Sequence, residues 1–578
     1  MELGIYAVVG VSVIVAVAAF SKRLGVAAPI ILVVVGVGLS YLPGVPAIEI
    51  APEWILDGLL PPILYAAAIS VPVVDFRRNL GTITSLSVVL VLITAFGTGF
   101  LLYTMLPDLN LAAAIALGAI ISPPDAVAAS SVGRRLGLPP RLLTILEGEG
   151  LVNDATALVL LRTATAAAVG ALSTPWAGVT DFVYAVIVAI AVGLAAGLVT
   201  VFVRSKLNDP VLDTAISFAV PFVAFMPAEA LGASGVLAVV VAGLYTGHAA
   251  PSRFNAQSRI SDRINWRTVQ FFLESGVFLV IGLEIRTLID HVTDDPGELG
   301  VWPAVGIGVL ATVALIVLRF VWAGPLVLGL RLRAQHAEKR TLSLWLRLDH
   351  VRSLPVKDAR QKRRLRLLSR TYARRRADLE QLRTEGIDWR GGVVLGWSGM
   401  RGVVTLAAAQ SLPENTPYRD QLILIAFTVA FVTLVVQGST LPAVIRLVGI
   451  QGIDVAVDRR DLARLLDEIS NSGLVLLDDP AGALGETSPV DPDVVERVRQ
   501  SSFLRTELAW ERSRELTEGT DETPHQLYRE LRLVVVDAER QALLNARSRG
   551  AYPSRILAEA QGMLDLEETR LRSRGPGH

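Results

Sequence analysis

Long apolar runs separated by short polar connections fill most of the first 450 residues of this chain. Their lengths are close to the roughly 20 residues that an α-helix needs to cross the hydrocarbon core of a bilayer. The pattern predicts about thirteen transmembrane helices, which we number as spans 1 to 13. They lie at about residues 5–20, 26–42, 55–71, 81–105, 111–131, 141–171, 180–203, 211–228, 231–248, 268–285, 300–328, 391–411 and 421–448.

Two polar regions interrupt or follow this pattern. Residues 331–390 are dense in arginine and predict a cytoplasmic loop, which is either solvated or binds anionic lipid headgroups or a partner. Residues 451–578 show apolar residues at helical spacing between mixed charges, which predicts a small α-helical cytoplasmic domain. The fold class predicted is therefore an all-α polytopic membrane domain at 1–450 with a helical tail at 451–578.

The connections between spans alternate in charge, which predicts the orientation of the chain. Basic connections alternate with connections that carry acidic residues such as Asp108 and Glu229. Because positive loops stay in the cytoplasm, the N-terminus is expected outside and the C-terminus inside the plasma (inner) membrane. The first apolar run follows Met1 and Glu2 without a basic segment, so we expect it to stay as a span and not to be cleaved as a signal peptide. The basic connections contain Lys22 and Arg23, Arg77 and Arg78, Arg134 and Arg135, Arg204 and Lys206, and Arg253 to Arg267.

Composition agrees with a membrane protein and removes several other classes. The chain is 52% hydrophobic and 19% charged with a mean hydropathy of +0.50, which is too apolar for an ordinary soluble protein. The formal net charge is zero, so a nucleic-acid partner is not indicated. The absence of cysteine excludes thiolate and disulfide chemistry. No cofactor and no enzymatic reaction are predicted.

The fifth span contains a proline pair in mid-membrane. Ser122 followed by Pro123 is typical of a helix start, with serine as the N-cap and proline in the first turn. A helix start at this depth predicts an interrupted span, which is where secondary transporters bind ions. Asp125 follows the break, where the positive end of the second half-helix favours a carboxylate. The alternative is a continuous helix with a simple proline kink.

The sixth span carries the sequence ILEGEGLVNDATALVLLR, with Glu147, Glu149, Asn153 and Asp154. Ionisable residues within a membrane are expensive and mark ion pathways, proton relays or tightly paired structural groups. Glu147 and Asp154 share one helix face, and Glu149 and Asn153 share another. We expect one face to present Asp154 and Asn153 to a cavity and the other to turn Glu149 towards a cation. The alternative is that all the acids form structural ion pairs.

Spans 11 and 12 supply the basic side chains. Arg319 is deep in span 11 and needs a partner, for which Glu149 is the first choice. In span 12, Gly396, Gly399 and Gly402 surround Arg401, which predicts a second interrupted helix whose carbonyl ends Arg401 neutralises. Two broken helices in corresponding positions of two inverted repeats point to a transport site at the midplane. The alternative for Arg401 is an interfacial arginine that reaches towards the headgroups.

Several of these segments resemble the motifs of sodium/proton antiporters of the NhaP and sodium/hydrogen exchanger type. The segments are SPPDAVA, EGEGLVNDATALVL, LLPPILYAAA and GMRGVVTLA, and the match covers roughly residues 1 to 450. The resemblance implies a homodimer of thirteen-helix protomers, each with a dimerisation domain and a mobile core domain. It also implies that Asp154 carries Na⁺ and the proton with Asn153 as a further ligand, that Asp125 supports the site, that Glu149 pairs with Arg319, and that Arg401 compensates charge at the crossing helices.

The sequence departs from the common pattern of that family at two positions. Pro124 stands where many relatives have threonine, and Gly150 where many have serine, so two hydroxyl groups are missing. Backbone carbonyls, Ser122 or water would have to replace them, and Li⁺ and K⁺ remain alternatives to Na⁺. One exchangeable carboxylate, Asp154, predicts electroneutral exchange of one cation for one proton. A K⁺-preferring antiporter, a cation channel and an organic-anion transporter are the other classes considered.

Overall fold

The structure is a computed structural model of the whole chain, and it is α-helical throughout the part that it describes, with no β-strand there. The described residues are 2–24, 27–43, 51–170, 175–207, 209–294, 299–353, 359–384, 386–450, 452, 455–480, 491–500, 510, 524–548 and 554–572. Contacts between Cα atoms divide the chain into two compact units, Met1–Gly452 and Ile453–His578.

The first unit contains sixteen helices in the described residues. They are α1 Glu2–Leu24, α2 Ala28–Ser40, α3 Trp54–Ser70, α4 Val73–Met105, α5 Leu111–Ile121, α6 Ala126–Arg135, α7 Pro140–Ala168, α8 Pro175–Arg204, α9 Pro210–Ala230, α10 Gly235–Arg253, α11 Ala256–Asp294, α12 Val301–Ser353, α13 Ala359–Thr384, α14 Trp389–Trp397, α15 Val403–Gln410 and α16 Arg419–Val448. Short π-helical stretches occur inside α3, α4 and α16.

These helices follow the predicted spans in order. Spans 5 and 12 are each divided into two short helices, α5 and α6 in the first case and α14 and α15 in the second. The prediction of two broken helices is thereby confirmed. Among the described residues, six helices are long and apolar enough to cross a membrane by length and composition, and four further apolar helices are shorter. The number of thirteen crossings stays a prediction.

Two helices are longer than the apolar runs that predicted them. Helix α11 begins at Ala256, so residues 256–267 are helical where a basic connection was expected. Helix α12 continues to Ser353, and α13 then packs against it. The arginine-rich region 331–390 is therefore mainly helical in its described part, and not an irregular loop. Hydropathy does not detect such extensions, because a helix that leaves the membrane no longer needs apolar residues.

Several helix pairs of the first unit pack closely. Helix α2 packs against α11, and α10 packs against both α3 and α8. Helix α5 packs against α4 and α7, and α12 packs against α16. Glycines allow the closest approach, as small residues do between membrane helices. A Cβ atom added at Gly118 of α5 would overlap the carbonyl oxygen of Ala95 in α4. This contact fixes α4 beside the break in span 5.

The second unit is helical where it is described. Its helices are Val455–Leu474, 492–500, Pro524–Ser548 and Ser554–Arg572. The last two pack against each other, with Arg532 hydrogen-bonded to Glu567 and Arg540 to Asp565. Exposed ion pairs of this kind stabilise a helix pair only slightly.

Candidate functional site

The breaks of the two interrupted spans meet inside the first unit. The backbone N–H of Asp125, in the first break, donates a hydrogen bond to the carbonyl oxygen of Met400 in the second, over 2.5 Å. Gly402 lies against Asp125, since a Cβ atom added there would be 2.8 Å from the Asp125 Cβ atom. Only a residue without a side chain fits at this crossing. The non-helical backbone of both spans is therefore buried within protein, as membrane depth requires.

Asp125, and not Ser122, begins the second half of span 5. Its side-chain Oδ1 accepts a hydrogen bond of 2.8 Å from the N–H of Val127, which makes Asp125 the N-cap of α6. The prediction of Ser122 as the N-cap was wrong, since Ser122 follows the last residue of α5. The reason is the second proline: Pro124 disfavours helical backbone at the preceding residue, so Pro123 cannot open the helix.

Arg401 satisfies the carbonyl ends of both interrupted helices. Its Nε donates to the carbonyl oxygen of Ile121 over 2.9 Å, and its Nη2 to that of Ser122 over 3.4 Å. Its Nη1 contacts the carbonyl oxygen of Gly399. Arg401 is 1% exposed, so it is a buried charge and not an interfacial one. The guanidinium compensates the negative end of α5 as well as that of its own span. The residues alone predicted the contact with its own span, whereas the family resemblance implied charge compensation at both crossing helices.

Glu149 and Arg319 form a buried bidentate salt bridge. Nη1 of Arg319 lies 2.6 Å from Oε1 of Glu149, and Nη2 lies 2.8 Å from Oε2. The two side chains are 2% and 4% exposed respectively. Nε of Arg319 donates to the carbonyl oxygen of Leu395 in α14 over 2.8 Å. The structure thus brings Glu149 and Arg319 together, as the sequence analysis expected. The remaining nitrogen of the guanidinium, Nε, binds the backbone close to the second break.

Asn153 and Asp154 follow on the same helix, α7. The Asn153 amide donates to the carbonyl oxygen of Pro124 over 2.9 Å, while its Oδ1 is buried and accepts no hydrogen bond from the described residues. Asp154 is half-buried, and its carboxylate has no hydrogen bond or ion pair with any residue in the described part of the chain. Asp154 and Asp125 are close enough for their charges to act on each other. Unpaired oxygen atoms thus lie beside the first break.

The hydroxyl of Ser122 is bound to α4. It pairs with the hydroxyl of Thr94 and donates to the carbonyl oxygen of Val91 over 3.1 Å. Thr94 is a buried polar residue beside the break that the sequence analysis missed. An isolated threonine within an apolar run carries no signal of its own, because its hydroxyl can bond to the preceding turn of its helix.

The remaining charges of span 6 lie towards its ends. Glu147 forms a salt bridge with Arg134 at the end of α6, over 2.5 Å. Arg162 pairs with Glu229 at the other end of α7. Neither salt bridge includes Asp154, although Glu147 and Asp154 lie on the same face of the helix.

The apolar surroundings and paired charges describe a membrane protein in which the Asp154 carboxylate, beside crossed and broken helices, has no partner among the described residues. The model of the sodium/hydrogen exchanger transmembrane domain matches residues 10–447. The chain belongs to the sodium/hydrogen exchanger family. It is therefore a multi-pass membrane transporter, and cation/proton antiport is the function that this membership supports.

Relatives of known sequence agree with the family, and a solved structure shares the fold. The chain is 29% identical over 562 residues to an uncharacterized Na⁺/H⁺ exchanger of Mycobacterium tuberculosis, which covers 95% of this chain and 92% of the relative. It is 27% identical over 431 residues to the Na⁺/H⁺ antiporter ApNhaP of Aphanothece halophytica, covering 73% and 70% of the two chains. The sodium proton antiporter MjNhaP1 of Methanocaldococcus jannaschii has a similar fold, with a TM-score of 0.55, 17% identity, and coverage of 78% of this chain and 100% of that chain.

This sodium/hydrogen exchanger family member has a further carboxylate that the sequence analysis missed. Glu274 of α11 accepts a hydrogen bond of 2.7 Å from Gln270, and its charge acts on that of Asp125. The acid in the sequence QFFLESGVF interrupts an apolar run within predicted span 10, which is a usable signal. Helix α11 therefore contributes an acidic side chain near the site.

Among the described residues, no group of three or more histidine, cysteine, aspartate or glutamate side chains is placed to hold a resident metal ion. The cation of such an exchanger is a substrate, which needs a site that releases it. The carboxylate of Asp154 and the amide oxygen of Asn153 are hard oxygen donors of the type that alkali cations prefer.

Proposed function

We propose that this protein exchanges one Na⁺ for one proton across the plasma membrane, with the two ions competing for Asp154. The observation that carries the proposal is the Asp154 carboxylate, which has no hydrogen bond or ion pair within the described part of the chain, whereas Glu149, Arg319 and Arg401 each have partners there. A proton or a monovalent cation neutralises it, but not both at once. Competition for one carboxylate couples the two flows when the site is exposed to each side of the membrane in turn.

The ends of the half-helices support this assignment. Arg401 donates a hydrogen bond to a carbonyl oxygen at the negative end of α5, and Arg319 donates one to a carbonyl oxygen near that of α14. Asp125 caps the positive end of α6 and lies against Gly402 at the start of α15. Glu149 is bound to Arg319, and the Asp125 carboxylate accepts a hydrogen bond from the N–H of Val127, which leaves Asp154 as the carboxylate beside the first break without a partner among the described residues.

Orientation, assembly and domain roles complete the proposal. The N-terminus lies outside, the C-terminus lies in the cytoplasm, and two protomers form a homodimer in the lipid bilayer. Transport belongs to residues 1–450, and the tail 451–578 regulates or stabilises it. The alternation of basic connections supports the orientation, and the division of the chain after Gly452 supports the separate tail.

Na⁺ is the preferred cation of the proposal, and K⁺ is the second candidate. The relative in Aphanothece halophytica is named a Na⁺/H⁺ antiporter, whereas a relative in Bacillus subtilis, 28% identical over 429 residues, is named a sodium, potassium, lithium and rubidium/H⁺ antiporter. The B. subtilis match covers 72% of this chain and 57% of that relative. Pro124 and Gly150 provide no hydroxyl ligands. Oxygen atoms of Asp154, Asn153 and backbone carbonyls must therefore replace the water ligands of the cation.

Everted membrane vesicles test the function directly. We expect addition of Na⁺ to collapse a preformed pH gradient without a change in membrane potential, and K⁺ and Li⁺ to act more weakly. A stronger response to K⁺ would select the K⁺-preferring alternative. A cation-dependent change in potential that needs no pH gradient would indicate a channel and contradict antiport.

The stoichiometry is tested in proteoliposomes at equilibrium. One exchangeable charge at Asp154 means that each cycle moves no net charge, so the membrane potential has no effect on the final Na⁺ gradient. If one net charge moved per cycle, a potential of 100 mV would contribute about 2.3 kcal/mol. The Na⁺ gradient is measured at a fixed pH gradient while ionophores clamp the potential at several values. A gradient that changes with the potential would refute electroneutrality and make Asp125 or Glu274 a second proton carrier.

A further inference from the structure

A second buried charge cluster forms where α8, α9 and α11 meet, and it shares no residue with the proposed ion site. Arg204 ends α8, Asp213 lies in the first turn of α9, and Asp262 lies in α11. Arg204 binds Asp213 in a bidentate manner, with distances of 2.7 Å from Nε and 2.8 Å from Nη2. The same Nη2 lies 2.5 Å from Oδ2 of Asp262. The exposed fractions of the three side chains are 0%, 2% and 9%.

Aromatic rings enclose this cluster and keep its surroundings apolar. The guanidinium of Arg204 lies 4.4 Å from the ring centroid of Phe254. Trp266, one turn after Asp262, donates a hydrogen bond of 2.7 Å to Ser217 of α9 and packs against Tyr65 of α3, with ring centroids 5.0 Å apart. The side chains of Tyr65 and Ser217 face the charged groups. Few water molecules can reach charges in such a site.

The cluster contains more negative than positive charge. One guanidinium faces two carboxylates, which leaves one excess negative charge when both acids are ionised. An uncompensated charge in a buried site is strongly unfavourable and is usually removed by protonation. Asp213 accepts two hydrogen bonds from Arg204, whereas Asp262 accepts one, and Oδ1 of Asp262 and Nη1 of Arg204 have no partner among the described residues. Asp262 is therefore the carboxylate that is less well stabilised as an anion.

We propose that Asp262 is a proton-binding site separate from Asp154, which takes up a proton from the cytoplasmic side and leaves the Arg204–Asp213 pair intact. Its position supports the side assigned: Arg204 precedes a connection predicted to be cytoplasmic. Asp262 is twelve residues before Glu274 on α11, a helical distance of about 18 Å. Protonation of Asp262 thus changes the charge at one end of a helix whose middle lies beside the ion site.

The sign of the pH effect on stability follows from the cluster. Burial raises the pKa of Asp262 above its ordinary value, and Asp213 raises it further, while Arg204 and the Ser217 hydroxyl oppose the shift. The folded protein then binds this proton more tightly than the unfolded chain does. Ionised Asp262 destabilises the fold above its folded pKa, and this penalty disappears as the pH falls towards the ordinary value near 4.

Thermal unfolding of the full-length protein in detergent tests the proposal without a transport assay. Asp262→Asn keeps the shape and removes the ionisable group. We expect the midpoint Tm of this variant to exceed that of the wild type at alkaline pH, and the difference to shrink on acidification. Asp290→Asn, an exposed aspartate on the same helix beside Arg286, is the matched control and should shift Tm equally little at every pH.

A second variant keeps the test decisive if Asp262→Asn does not fold. Asp213→Asn leaves one carboxylate for Arg204, so Asp262 should stay ionised and the variant should lack the gain in Tm on acidification that is expected of the wild type. The proposal is overturned if Asp262→Asn lowers Tm at all alkaline pH values, since Asp262 would then act as an ionised partner of Arg204. It is also overturned if the Tm difference follows the concentration of Na⁺ or K⁺ at fixed pH, because a bound cation and not a proton would then balance the charge.

Discussion

Replacement of Asp154 by asparagine is expected to abolish cation/proton exchange while leaving expression and folding intact. The substitution removes the exchangeable charge and keeps the size of the side chain. Because Asp154 has no ion pair or hydrogen bond with the described residues, no partner loses its contact. Exchange is measured as Na⁺-driven proton flux in proteoliposomes, and the loss should be complete within the sensitivity of the assay.

Asp181→Asn provides the control for this experiment. Asp181 is an exposed aspartate on α8, so the same chemical change should leave the flux near that of the wild type. Near-normal proton flux in Asp154→Asn would contradict the assignment of the exchangeable carboxylate. Asp125 and Glu274 would then be the remaining candidates for the exchangeable carboxylate.

The second large effect concerns the stability of the salt bridge between Glu149 and Arg319. We expect Glu149→Gln and Arg319→Gln each to destabilise the protein by about 3 to 5 kcal/mol, because either change leaves a buried charge without its partner. The bidentate geometry and the exposed fractions of 2% and 4% place this pair in the fully buried class. Stability is followed by thermal unfolding of the purified protein.

The double variant separates this pair from two independent effects. Glu149→Gln combined with Arg319→Gln has no buried unpaired charge, so it should recover part of the loss, although the Arg319 hydrogen bond to Leu395 is still missing. Glu414→Gln, at an exposed glutamate between α15 and α16, serves as the control and should have little effect. Purely additive losses in the double variant would mean that the two residues do not stabilise each other.

The positions of the membrane helices could be predicted because the hydrocarbon core imposes one length and one composition on each of them. The two helix breaks could also be predicted from the sequence, since Pro123 and Pro124 and the glycines around Arg401 disfavour a continuous helix. The extension of α12 to Ser353 was not readable from hydropathy, since a helix in water is stabilised by contacts with α13 and by local propensity. The observed helix ends therefore differ most from the predicted ones where the chain leaves the membrane.

The contacts of the charged residues in the site were likewise predictable only in part. The Glu149–Arg319 contact could be anticipated, because each residue is alone within an apolar run and a buried charge needs an opposite one. The bonds from Arg401 to Ile121 and Ser122 could not, since backbone carbonyls of a distant span carry no sequence signal. Arg204 was taken as part of a basic connection, because position at the end of a span does not distinguish an exposed arginine from a buried one.

Competition between Na⁺ and a proton at Asp154 is tested most directly by the protons released when Na⁺ binds. Isothermal titration of the purified protein in several buffers gives this number, because the measured heat depends on the ionisation enthalpy of the buffer in proportion to the protons exchanged. For a pH below the pKa of the site, the account predicts that Na⁺ binding releases about one proton from the wild type and that Asp154→Asn neither binds Na⁺ nor releases a proton. Equal proton release in the wild type and in Asp154→Asn, or tight Na⁺ binding to the wild type with no proton release at any pH, would contradict it.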